Sequence, residues 1–212
     1  MKRVKDILPS ILYLLIFLSI LGLIAVLVIN SSNVQESNIY KKIIGEKVSQ
    51  TYDLEKGINF IGVDFNSKYT VSRIINENPD ISLIGDYDNN DWKNIVRSGS
   101  KRATKGNNFK LKQYKGYIVI AKKDTTLELV GRKYNREMKF KFDKGLNLVS
   151  ASNYSNSLEL IKDFKDKEIA VLGVSSWENT IDRFVDNVVK DNVQYGEDRK
   201  ISKQSGVFIN IE

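Results

Sequence analysis

The chain has 212 residues, with 33 Lys and Arg against 26 Asp and Glu, a formal charge of +7, and neither histidine nor cysteine. Those two absences exclude imidazole acid/base chemistry, thiolate nucleophiles, Ser-His-Asp triads, nearly every zinc site and any disulfide framework, because each needs an imidazole or a thiol. The length allows a real core in one ordinary domain or two small ones, held by apolar burial alone.

Residues 1–6 form a short stub in which Lys2, Arg3 and Lys5 outnumber Asp6. Residues 7–29 follow without a single charge; as a helix they would span roughly 35 Å against a hydrocarbon core of about 30 Å, which predicts a transmembrane anchor. The basic stub keeps the amino end in the cytosol and sends the remainder across the cell membrane, so the carboxyl-terminal domain is expected to be extracytoplasmic. A cleaved signal peptide is the rival reading, but its apolar core is usually about 7–15 residues with small residues at its end, whereas this run continues to Val28 and Ile29. Residues 30–51 start polar and then place Ile39, Ile43, Ile44 and Val48 at mixed helical spacing, which reads as a stalk, partly helical.

Beyond the stalk the sequence returns to itself. Lys56-Gly57-Ile58-Asn59-Phe60-Ile61 matches Lys144-Gly145-Leu146-Asn147-Leu148-Val149 at an offset of 88, which also carries Gly85 onto Gly173. The offset then drifts to 90, with Gly116 to Ile120 answered by Gly206 to Asn210. Ordered blocks at near-constant separation predict an internal duplication: a first β-rich repeat at 52–137 and a second at 138–212. Each copy opens with an apolar strand (58–65, then 146–151). A short helix follows, its apolar residues at Val71, Ile74 and Ile75, then at Leu158, Ile161 and Phe164, with Thr70 and Ser157 as caps. Pro79 ends the first helix. Strands are expected at Ile81 to Tyr87 and Ile169 to Val174, around Trp92 to Val96, and at 117–121 and 207–211. Asp86 to Asp91 suits a hairpin turn. Around 177–189 the repeat implies strand, while Ile181, Phe184, Val185 and Val188 have helical spacing. Between the copies Thr126 to Gly131 and Met138 to Phe142 alternate like half-buried strands. The fold class is therefore α+β, mainly β, with one short helix per repeat.

The string Leu54, Gly57, Asn59, Phe60, Ile61, Gly62, with Trp92, Gly116 and Tyr117, and its second version Gly145, Asn147, Leu148, Val149, Trp177 and Gly206, resembles the Gly-Trp-Asn-Leu-Ile repeat modules of bacterial and archaeal secreted and surface-layer proteins. The pattern Leu127 to Gly131 before Phe140 to Leu148 is similar as well. The likeness covers about residues 52–212 and departs from the family at the signature Trp, replaced by Ile58 and Leu146, and at Gly62 and Tyr117, answered by Ser150 and Val207. It implies non-catalytic, β-rich adhesion or structural units and transfers no catalytic residue. Gly57 and Gly145 read as turn residues, and Asn59 and Asn147 as able to bond a neighbouring loop.

The charge is concentrated: ten basic and no acidic residues lie between Trp92 and Lys123. Lys93, Arg97, Lys101, Arg102, Lys105, Lys110, Lys112 and Lys115, interleaved with Phe109, Tyr114 and Tyr117, form a candidate surface for an anionic wall or surface polymer or an envelope protein. The plainer reading is a solvated hairpin whose lysines blunt an edge strand. Asp86, Asp88, Asn90 and Asp91 do not fit an EF-hand, whose sixth Gly and twelfth Glu are here Asp91 and Arg97. Ser98-Gly99-Ser100-Lys101 has Ser-x-x-Lys spacing but lies in a wet loop rather than opening a helix. Trp92 and Trp177 read as core aromatics. The expectation is a single-pass membrane protein whose ectodomain binds or scaffolds, with no cofactor, metal, catalytic residue or nucleic-acid partner. An accessory or regulatory subunit of an envelope complex is second, and a Ser-Lys hydrolase a distant third.

Overall fold

The computed structural model describes residues 45–88, 91–98, 103–134, 142–178, 183–190, 193–196, 200–202 and 204–212. The apolar run 7–29, the segment 30–44, and Met138 to Lys141 of the expected linking strand lie outside them. The two Gly-apolar-Asn blocks have the same local conformation. Gly57 and Gly145 sit at φ of 106° and 98°, a region that a Cβ disfavours. Asn59 then folds back on its own turn: Nδ2 donates to the carbonyls of Glu55 (2.8 Å) and Gly57 (3.2 Å), and Oδ1 accepts from the Glu55 N–H (3.0 Å). Asn147 donates to the carbonyls of Asp143 (2.8 Å) and Gly145 (3.0 Å) and accepts from the Asp143 N–H (3.3 Å). The clamp closes within the turn rather than onto a neighbouring loop.

The elements of the first half are β1 (Glu46–Leu54), β2 (Gly57–Val63), β3 (Asn66–Ser67), α1 (Val71–Glu77), β4 (Ile81–Asp88), β5 (Asp91–Ser98), β6 (Ala103–Gly106), β7 (Lys115–Ala121) and β8 (Thr125–Lys133). The second half has β9 (Gly145–Ser150), α2 (Ser157–Asp166), β10 (Val171–Glu178), β11 (Arg183–Lys190), β12 (Val193–Tyr195) and β13 (Gly206–Ile211). Among the described residues the fold is mainly β, with antiparallel sheets and two short helices. The order β2-β7-β4-β5-β6 in the first half recurs as β9-β13-β10-β11-β12 in the second. Registers match too, since Gly62 faces Gly116 as Ser150 faces Gly206.

Several expectations change at residue level. A bulge falls between Ile81 and Leu83 and again between Val171 and Gly173, with Leu83 opposite Ile120 and Gly173 opposite Asn210. Gly173 is thus level with Leu83, not with Gly85. In the 177–189 segment the described residues are strand: Trp177 and Glu178 end β10, Arg183 begins β11, and Trp177 faces Phe184 as Tyr87 faces Trp92, so the two tryptophans are not at equivalent places; Ile181 lies outside the described residues. β1 starts at Glu46, inside the expected stalk, and pairs with β8, which sends Tyr52 and Leu54 into the core. α1 buries Val71, Ile74 and Ile75 as its spacing predicts, whereas α2 buries Ser157, Leu160 and Phe164 and leaves Leu158 exposed. Asn156 rather than Ser157 caps α2, accepting from the Glu159 N–H at 2.8 Å. The Ser157 hydroxyl instead accepts from Asn187 Nδ2 at 2.6 Å and pins α2 to β11. Thr70 stands at the N-cap of α1 without a side-chain capping bond.

The apolar side chains form two cores. The first, around Phe65, Ile75, Ile84, Val119, Leu127 and Leu129, lies among α1, the β1-β8-β3 sheet and one face of the larger sheet. The second, around Leu160, Phe164, Val174, Val207 and Ile209, lies beneath α2.

Candidate functional site: an apolar cleft between the halves

Successive side chains of a strand point to opposite faces, yet β7 and β13 are apolar at almost every position. Tyr117, Val119 and Ala121 fill the first core, and Val207, Ile209 and Ile211 the second. Ile118, Ile120 and Phe208 are left for the other face, and that face is where the halves meet. Four strands close a ring there: β7 pairs with β2, Ile61 of β2 bridges Ser205, β13 pairs with β9, and Val149 of β9 bridges Lys115 of β7. The contact is exchanged in both directions. The Gly62 N–H donates to the Gln204 carbonyl (2.6 Å) and the Ser150 N–H to the Tyr114 carbonyl (3.1 Å), with Tyr114 and Gln204 at φ of 69° and 70°. Such reciprocity marks a local two-fold relation. The junction is tight: a Cβ on Gly62 would stand 2.4 Å from the Ser205 carbonyl oxygen and 2.5 Å from Ser150 Oγ, and one on Gly116 would stand 2.7 Å from the Val149 carbonyl oxygen.

Beside this ring the outer faces of the two halves border a cleft of about 630 Å³. Rings cross it from both sides: Phe60 lies 5.7 Å from Trp177 and 5.3 Å from Phe184, and Phe208 lies 5.8 Å from Tyr87 and 6.3 Å from Trp92 between centroids. The lining is aliphatic and aromatic apart from the Gly85 backbone, Asn94, Ser175 and Asp186. Trp92 is 45% exposed and Phe184 40%, so Trp92 is a cleft wall rather than a core residue. Among the described residues nine large apolar side chains are exposed; Leu158 and Leu172 lie away from this face, and the other seven stand on it by strand alternation and register. Contiguous exposed apolar surface of this kind marks interaction sites. Asn94 and Asp186 are structural counterparts, opposite Gly85 and Ser175 respectively. Among the described residues Asp186 is the one charged group lining the cleft. Past Phe60 and Trp177 the cleft meets a more polar hollow of about 430 Å³, bordered by Asp53, Glu55 and Lys200 among others. Tyr52 borders that hollow; its hydroxyl donates to the Gly62 carbonyl at 2.9 Å, and burial, followed by the nearby Asp64 charge, pushes its pKa far above the usual phenol range.

The basic segment is dispersed by the fold. Arg97 donates to the carbonyls of Ile75, Asn78 (2.9 Å) and Ile81 (3.2 Å), capping the end of α1. Lys115 forms an ion pair at 3.3 Å with the buried Asp86, and Lys93 stands opposite Asp86 in register. Asp86, expected to open a hairpin turn, thus lies within β4 and serves as a counter-ion for the basic segment. Lys105 is exposed on the edge strand β6, and Lys110 and Lys112 are exposed on the loop before β7. That loop is latched by Leu111 to Ser67 and by Lys112 N–H to the Tyr117 hydroxyl (2.6 Å). Lys101, Arg102 and the Gly99-Ser100-Lys101 part of the Ser-x-x-Lys string lie outside the described residues. The sequence did carry a signal for the cleft: unbroken apolar strands require two covered faces, and only one is covered by a core. Comparison with protein-family models, with curated proteins and with solved structures finds no match to this chain.

Proposed function

We propose that this chain is a single-pass, membrane-anchored binding module of the cell envelope, with its carboxyl-terminal domain outside the cytosol and two divergent copies of one β-rich unit forming that domain. It works by binding rather than catalysis. The apolar cleft carries the reading, because aromatic side chains of both copies converge there beside the Asp186 carboxylate, and the chain holds no imidazole or thiol to do chemistry. The placement rests on the uncharged run 7–29 and its basic flank. The paired Gly57–Asn59 and Gly145–Asn147 clamps support the duplication and the likeness to Gly-Trp-Asn-Leu-Ile modules, since they give the shared residues a folding role. In sealed cells, protease added outside is expected to digest residues 46–212. Protection until lysis would overturn the placement.

A further inference from the structure

We propose that the cleft receives an extended peptide segment with apolar side chains and one basic residue set against Asp186. This rests on the binding reading above but not on the membrane placement. Shape is the first argument. The walls come from strands of opposite halves and both are apolar, with Ile58 and Trp92 on one and Leu146 and Phe184 on the other. An extended chain projects successive side chains in opposite directions and so fills both walls at once. The volume of about 630 Å³ falls within the range of about 300–1,000 Å³ typical of ligand clefts. A second copy would bring the same concave face, which cannot enter this one.

Charge is the second argument. The local two-fold relation would let a ligand enter in either direction, but the chain breaks that symmetry, placing Asp186 on one wall and the neutral Asn94 at the equivalent point of the other. The hollow beyond Phe60 and Trp177 adds Asp53, Glu55 and Glu178 against Lys200. A cation gains attraction to Asp186 that grows as the peptide displaces water from the cleft, and its position fixes the direction of the chain. An acyl chain would leave the carboxylate unmatched, and an acidic segment would be repelled.

Both tryptophans of the chain line this cleft, and Trp177 also borders the adjoining hollow, so tryptophan emission, excited selectively over the tyrosines, reports on this face of the molecule. The test titrates the full chain in phosphatidylcholine nanodiscs with a capped peptide of Val and Leu carrying one central Lys, with its Glu twin, and with laurate. The Lys peptide is expected to give a saturable emission change, weakened at least tenfold by Asp186→Lys and unaltered by Asp166→Lys on α2. Equal binding of the Glu twin, indifference to Asp186→Lys, or saturation by laurate with no response to the peptide would each overturn the proposal while leaving a binding cleft in place. If none of the three ligands moves the emission, the binding reading falls with it.

Discussion

Asn59 and Asn147 make the same three hydrogen bonds in different surroundings, since Asn59 is 6% exposed and Asn147 is only half-buried. An unmet backbone group costs more where water cannot replace the lost partner, on the order of 1–3 kcal/mol. Asn59→Ala is therefore expected to lower the unfolding free energy by about 2–3 kcal/mol and Asn147→Ala by about 1 kcal/mol, measured by urea denaturation. Equal losses would contradict the burial argument. The clamp was partly legible in the sequence: Gly two residues before Asn announced a turn, but which groups the Asn would hold depended on a backbone path that spacing does not specify.

Among the elements, α2 shows how charge holds a short helix in place. Asp163 accepts from the Tyr154 hydroxyl and from Lys167 Nζ at 2.5 Å; burial alone would raise its pKa, but these bonds outweigh it and hold the carboxyl below the usual range. Glu159 is held low by hydrogen bonds from the Ser155 hydroxyl (2.7 Å) and N–H (2.8 Å). A carboxyl depressed on folding contributes stability in full above its unfolded pKa of about 4 and loses it as pH falls through the lower folded value. Asp163→Asn is thus expected to be less stable than the parent at pH 7, with the gap in urea midpoint shrinking toward pH 3. A gap independent of pH would refute this. The β10–β11 pair shows why element type was ambiguous: Phe184 and Val188 are four apart, a separation that keeps two residues on one face of a helix and also on one face of a strand. Pairing of Trp177 with Phe184 decides for strand. Arg97 was legible only as a charge, because its role as a cap depends on α1 and β4 coming beside β5.

At the scale of the whole molecule, the reciprocal bridges at Ile61–Ser205 and Val149–Lys115 make each half complete the other. Glu46–Glu212 forms one compact unit. Gly62→Ala forces a Cβ against the backbone carbonyl of Ser205, a clash no rotamer relieves, at about 1–3 kcal/mol. Because that contact joins the halves, the loss is expected in a single shared unfolding transition followed by both fluorescence and circular dichroism. Two separate transitions, with only the first half affected, would show that the halves fold independently.

The sequence by itself determined the location and type of most strands, both short helices, the turns that start each half and the twofold recurrence of the pattern, because alternation, Gly-x-Asn turns and Pro stops act within a few residues. Only the tertiary structure decided the rest. It turned Arg97 and Lys115 inward, rotated the buried stripe of α2 and brought Trp92 out of the core onto the wall of a cleft. Those outcomes depend on which faces meet between residues far apart in the chain, and a local pattern that is apolar on both faces does not say which face will be sealed by a core and which left open.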